Sequence, residues 1–215
     1  MIASLLYLTV SRTDIVYVFG ICACFQSYPR TSHLEVVKRI IKYVHGTSDF
    51  EILYSCDTNS LFVGSYDVDW IGSFDDRKST SRGCFFLENN LISWFSKKQN
   101  CVSLFTAEAE YIAAGSTCTQ LIWMKNMLHE YGFKQDIMTL YCNNMNAIDI
   151  LKNPVQHSRT KHIDIKYHFI RELIENKIIT VEHIGSNLQF ADIFTKSLDA
   201  NTFEHLRAGL GVCRI

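Results

Sequence analysis

The run Leu61-Phe62-Val63-Gly64-Ser65-Tyr66-Asp67 decides how the rest of the chain is read. Residues 61–66 have the composition of a short buried strand, and a carboxylate stands at its C-terminal edge. A second run of this kind, Met138-Thr139-Leu140-Tyr141-Cys142, ends at Asn143. Two helical stretches add Glu110, in the first turn of a long helix, and Asp192, early in the last one. In an α/β sheet such positions converge on one edge, where sites are usually built.

Working outward, the pattern predicts strands over Phe50–Cys56 and Leu61–Tyr66, and a polar loop from Asp75 to Ser81. Gly83–Glu88 and Leu91–Phe95 form a hairpin around Asn89-Asn90. Thr106 caps a helix reaching about Tyr131, which Gly132 ends. Ile137–Cys142 is a strand, a short helix stops before Asn153-Pro154, and Ile163–Asn176 is helical. Ile178–Ile184 is a strand and Leu188–Leu198 a helix. Upstream, one helix runs from Arg12-Thr13-Asp14 to about Gln26. A second is capped by Thr31 or Ser32 and carries Leu34, Val37, Ile41 and Val44 at helical spacing. The expected organisation is a helical segment over 1–48, an α/β domain over 49–198 and a C-terminal tail over 199–215.

Composition narrows the function classes. The chain has 215 residues, 47% hydrophobic and 20% charged, which excludes a disordered or fibrous protein. A formal charge of −1 excludes a partner held by bulk positive charge, though not one held by a local basic patch. The eight cysteines include no C-x-x-C pair and read as reduced, small hydrophobes. Ile15–Pro29 is uncharged but too short to span a bilayer, and Met1–Val10 lacks a basic leader. The expectation is an intracellular protein, cytoplasmic or nuclear, neither secreted nor membrane-bound.

Helix phase separates two neighbouring acids. Glu110, Ala114, Thr117, Leu121, Met124 and Leu128 step by four and three and share the sheet-facing stripe. Glu108 lies about 200° round the helix and should point elsewhere. A carboxylate at the end of an apolar stripe is either a site residue or a dipole-favoured cap, and spacing alone leaves both open. Asp67 and Asp69 share strand parity, so alternation does not choose between them. Asp192 taken alone reads as a solvated helix residue.

Several long segments carry a resemblance. They are Asp67-Val68-Asp69-Trp70-Ile71-Gly72, Asp75-Asp76-Arg77-Lys78-Ser79-Thr80-Ser81 and Ile92-Ser93-Trp94-Phe95-Ser96-Lys97-Lys98-Gln99. With them stand Thr106-Ala107-Glu108-Ala109-Glu110-Tyr111-Ile112-Ala113, His157-Ser158-Arg159-Thr160-Lys161-His162-Ile163-Asp164-Ile165 and Ala191-Asp192-Ile193-Phe194-Thr195-Lys196. Together they resemble the ribonuclease H region of a copia-type, plant-like LTR retrotransposon Pol polyprotein. Residues 1–48 resemble the connection between polymerase and nuclease.

That resemblance implies a ribonuclease H-like five-stranded mixed sheet flanked by helices, preceded by a helical connection segment. It implies hydrolysis of RNA in RNA–DNA hybrids by two Mg²⁺ ions, and the remainder of a Pol polyprotein as a partner. The implied metal ligands and catalytic residues are Asp67, Glu110, residue 143 and Asp192, which favours Asp67 over Asp69. Paired cations activate a water and stabilise the leaving oxygen in an in-line displacement. Hybrid selectivity would come from groove shape and 2′-hydroxyl contacts. Candidate nucleic-acid contacts are Arg77, Lys78, Lys97 and Lys98, joined by Arg159 and Lys161 at a substrate edge.

One departure matters. The family pattern has aspartate where this chain has Asn143, which removes a unit of negative charge from a site built for dications. Asp136 and Asp149 are not placed to substitute. The expectation is a nuclease that is weak or inactive. The alternatives are a non-catalytic hybrid-binding module and a non-functional element remnant. Phe74-Asp75-Asp76 lacks the residue that would make it a polymerase motif, so no reverse transcriptase activity is expected. His157, His162 and His168 lack zinc-pair spacing. Trp70, Trp94 and Trp123 read as core.

Overall fold

The structure is a computed structural model that describes residues 1–56, 61–72, 76–152 and 164–215, with the side chains of 164–167 left aside. Arg159, Lys161, His157, His162 and the Phe74-Asp75 pair lie outside the described residues.

A short helix α1 (Ile2–Leu8), a 3₁₀ turn (Thr13–Ile15), α2 (Val16–Cys24) and α3 (Thr31–Gly46) open the chain. Then come β1 (Phe50–Ile52), β2 (Phe62–Asp69), β3 (Thr80–Leu87), β4 (Asn90–Lys98) and the long α4 (Thr106–Glu130). After these follow β5 (Met138–Cys142), α5 (Met145–Lys152), α6 (Asp164–Glu175) and β6 (Ile179–His183). A 3₁₀ turn (Ser186–Leu188), α7 (Asp192–Thr195), α8 (Ala200–Gly209) and β7 (Val212–Arg214) complete the chain.

The main sheet has the order β4-β3-β2-β5-β6. β2, β3 and β4 pair antiparallel, whereas β5 runs parallel to both β2 and β6. This is the five-stranded mixed sheet flanked by helices that the resemblance implies. Strand parity assigns the two faces. Phe62 and Tyr66 point into a core with Ile112, Leu121, Leu140 and Ile170, under α4 to α6. Val63 points the other way, into a second core with Cys84, Phe194, Leu206, Leu210 and Val212.

Helix α4 lies close on β2 because residue 64 is glycine. A Cβ there would stand 3.2 Å from Leu121 Cδ1. The predicted stripe is borne out, with Ala114, Thr117, Leu121 and Met124 all buried. Thr106 is the first residue of this helix rather than its cap. Glu108 is buried and turns back, its Oε2 accepting from the Leu104 N–H at 2.6 Å. It thereby ties the segment just before the helix to its first turn. Gly132, at φ +85°, ends the helix where expected.

Three expectations need correction. Residues 199–215, expected as a tail, carry α8 and β7, and β7 pairs antiparallel with β1 outside the main sheet. Leu206 and Leu210 are fully buried, so this segment completes the second core. Leu188–Leu198 is helical only over Asp192–Thr195, because Gln189 is locked to β2. Trp70 and Trp123 are exposed rather than core. All eight cysteines are free, and four of them are buried.

The segment 1–48 packs on the rest. Tyr17 stacks beneath the Arg82 guanidinium, 5.3 Å from its ring centroid. The Tyr43 hydroxyl accepts from Arg207 Nη1 of α8 at 3.1 Å.

Candidate active site

Three strand and helix ends bring the acids together. Asp67 is set by β2 on the face of Val63 and Ser65, away from α4. Glu110 comes from the second turn of α4, and Asp192 opens α7. All three are buried: Asp67 is 7% exposed, Glu110 6% and Asp192 3%. β5 continues the edge. Its parallel register with β2 matches Ser65 with Tyr141. That is the last pair of the ladder, and Asn143 follows directly after the end of β5. The structure therefore brings Asp67, Glu110 and Asp192 close to one another, and Asn143 stands half-buried at the bend after β5.

The electrostatics follow from crowding. Burial raises the Glu110 carboxyl well above its ordinary value, and the nearby Asp67 and Asp192 raise it further. Burial likewise pushes Asp192 up to about 7, with Asp67 adding to the rise and Lys196 opposing it. Asp69 is also raised by burial, while Arg82 pulls it down. Glu110 Oε2 and Asp192 Oδ1 are buried and have no hydrogen-bond partner among the described residues. Buried carboxylate oxygens without donors are costly unless a cation serves them. The donor chemistry here, buried carboxylate oxygens, suits a divalent cation.

Other oxygens of the cluster are taken by the chain itself. The Thr195 hydroxyl donates to Asp67 Oδ2 at 2.6 Å, with the Asp192 carbonyl 3.0 Å away. Lys196 Nζ stands 2.6 Å from Asp192 Oδ2. Among the described residues no three His, Cys, Asp or Glu side chains form a ready-made metal cage.

Gln189 and Arg82 escape the sequence reading. Gln189 is fully buried, with its Oε1 accepting from Ser65 Oγ and its Nε2 donating to the Tyr66 carbonyl at 3.0 Å. Its own carbonyl accepts from the Asp192 N–H at 3.1 Å. Arg82 is paired with Asp67 across the β2–β3 ladder and donates from Nε to Ser96 Oγ at 3.1 Å. Burial lowers its guanidinium below the usual range, opposed by Asp69, Tyr17 and Asp67. The available signal for Gln189 was its place three residues before Asp192. Arg82 offered only a charge at a position that alternation makes buried.

The basic candidates sit near this edge. Arg77 and Lys97 are exposed and Lys78 is half-buried. Lys98 is ion-paired with Asp76 at 2.8 Å. Lys97 also lines a groove of about 850 Å³ between β4 and α4, with Phe95, Ser96, Gly115, Ser116 and Thr119. No helix among the described residues is long and apolar enough to cross a membrane.

No family model matches the chain. It is 39% identical, over 98% of its length, to the retrovirus-related Pol polyprotein from transposon TNT 1-94 of Nicotiana tabacum, covering 16% of that protein. It is 37% identical over its whole length to the retrovirus-related Pol polyprotein from transposon RE1 of Arabidopsis thaliana, covering 15%. The chain thus spans about a sixth of the length of these relatives. Among solved structures, the N-terminal ribonuclease H domain of a Mycobacterium tuberculosis protein, fused to maltose-binding protein, is similar over 70% of this chain and 98% of that one. The TM-score is 0.48 and the identity 7%. With these identities, the chain is similar from end to end to one part of the retrovirus-related Pol polyproteins of plant transposons.

Proposed function

We propose that this domain engages RNA–DNA hybrids and hydrolyses their RNA strand weakly or not at all, because Asn143 stands where a fourth carboxylate is needed. The observation that carries the reading is the meeting of the buried Asp67, Glu110 and Asp192, with Asn143 just past the end of β5, the strand that pairs with β2. Asp67, Glu110 and Asp192 would hold divalent cations, Mg²⁺ by hardness, and Asn143 would offer a neutral carbonyl oxygen. Bound there, such ions supply water activation and stabilisation of the leaving oxygen. The chain's own residues do the rest. Buried acids keep the seat desolvated, Gln189 holds β2 and the approach to α7 in register, and Lys97 in its groove meets a phosphate backbone. Arg77 and Lys78 extend that track, and Arg159 and Lys161 are candidates for the same role.

Asn143 also favours a second reading, a hybrid-binding module without cleavage. One carboxylate fewer makes the edge less repulsive to phosphate. A labelled RNA–DNA hybrid incubated with Mg²⁺ and either the protein or Asn143→Asp tests both readings. Slow or absent cleavage by the protein, with faster cleavage by Asn143→Asp, is expected. Equal, vigorous cleavage by both overturns the impairment. Hybrid binding that weakens with salt, without cleavage by either protein, favours the binding module.

A further inference from the structure

We propose that Lys196 is a built-in cation of the carboxylate cluster, competing with a divalent ion for Asp192. This deepens the reading of the cluster as a cation seat and rests on it. Lys196 follows α7 with extended backbone, and its Nζ lies 2.6 Å from Asp192 Oδ2. The Asp192 side chain is 4% exposed, whereas that of Lys196 is 49% exposed. The ammonium therefore reaches the buried carboxylate from the solvent side, on a flexible stem that can also withdraw.

Lys196 occupies only one of the two Asp192 oxygens. The other, Oδ1, is buried and lacks a donor, as does Glu110 Oε2. A single ammonium thus serves one part of a cluster that still has unserved oxygens. A divalent ion settling on Asp192 must meet a positive charge already in place, and two like charges on one carboxylate repel. Thr195 differs in kind, because its hydroxyl ties Asp67 Oδ2 without adding charge. With Asn143 neutral, fewer negative charges remain to outweigh the ammonium. The cluster as folded is closed by its own lysine, and a cation enters by displacing it.

Mn²⁺ titration of the whole chain, followed by calorimetry and by the electron paramagnetic resonance of free Mn²⁺, tests this. Lys196→Met is expected to bind Mn²⁺ at least about tenfold more tightly than the protein, and Lys196→Arg within about threefold of it. Without metal, Lys196→Met should melt at a lower temperature than the protein, and it should gain more from saturating Mn²⁺. Lys196→Gln serves as the second variant and should tighten binding in the same direction. Mn²⁺ affinity unchanged or weaker in both neutral variants overturns the competition while leaving the cation seat intact. No Mn²⁺ binding by the protein, by Lys196→Met or by Asn143→Asp overturns the seat itself, and the competition with it.

Discussion

Gln189 Nε2 donates to the carbonyl of Tyr66 at 3.0 Å, one residue before Asp67, while the Gln189 carbonyl accepts from Asp192 N–H at 3.1 Å. One amide thereby ties the strand that carries one site aspartate to the turn that carries another. Gln189→Ala should orphan Ser65 Oγ and the Tyr66 carbonyl, at a cost of about 2–4 kcal/mol read from urea unfolding. It should also weaken Mn²⁺ binding, which a purely structural role would leave unchanged in the folded protein. Gln189→Glu keeps the acceptor for Ser65 but loses the donor to Tyr66, and should restore only part of the stability.

The crowded carboxyls make metal-free stability pH-dependent. Burial and Asp67 raise Asp192 to about 7, and burial raises Glu110. Above the unfolded carboxyl range the native state holds more protons than the unfolded one, so unfolding free energy falls as pH rises. For Asp192 the loss runs from about pH 4 to about pH 7 and then levels. The melting temperature of the metal-free protein should drop by on the order of 5 °C between pH 5 and pH 8. Asp192→Asn should flatten the slope, and a slope of the opposite sign would contradict the buried, unserved acids.

Asn143 offers the converse case. Asn143→Asp adds a carboxylate directly after β5, the strand that runs beside the one ending in Asp67 and Asp69. Like charges crowd further, so the metal-free variant should melt about 2–4 °C lower at pH 8. Saturating Mn²⁺ or Mg²⁺ should reverse the order, leaving Asn143→Asp the more stable of the two. Differential scanning calorimetry with and without cation checks both halves.

Much of this edge was legible in the sequence, and the reasons are local. β2 and β5 announce themselves by short apolar runs ending at a polar residue, and α4 by a stripe through Glu110, Ala114, Thr117 and Leu121. What was missed is non-local. β7 has three residues and pairs with β1 more than 150 positions away, so nothing near it signals a strand. Phe203, Leu206 and Leu210 recur at helical spacing along α8 and its C-cap, but only the second core explains why the two leucines are buried. The helix expected over Leu188–Leu198 shrinks to Asp192–Thr195, while the Gln189 side chain before it is engaged with Tyr66 of β2, more than 120 positions away. The Asp192–Lys196 pair was readable as an i, i+4 contact. Its importance depends on burial, which spacing does not give.

A buried network joins residues 1–48 to α8, and it yields a sharp test of whether this N-terminal segment is part of the folded unit. Arg12 grips Asp14 through Nε at 3.1 Å and Nη2 at 2.7 Å, and donates from Nη1 to the Thr47 carbonyl at 2.9 Å. The Tyr43 hydroxyl donates to Asp14 Oδ2 at 2.7 Å and accepts from Arg207 Nη1 at 3.1 Å. Tyr43→Phe keeps the ring packed on Phe203 and removes both bonds. Because each lost partner is charged and at least partly buried, the cost should be about 1.5–3 kcal/mol. It should appear as a lower urea midpoint at constant slope, in one transition seen alike by far-ultraviolet circular dichroism and by tryptophan fluorescence. Since Trp70, Trp94 and Trp123 all lie outside residues 1–48, fluorescence reports the α/β part alone. If Tyr43→Phe left the fluorescence transition unmoved, the segment would be folding independently of the sheet it rests on.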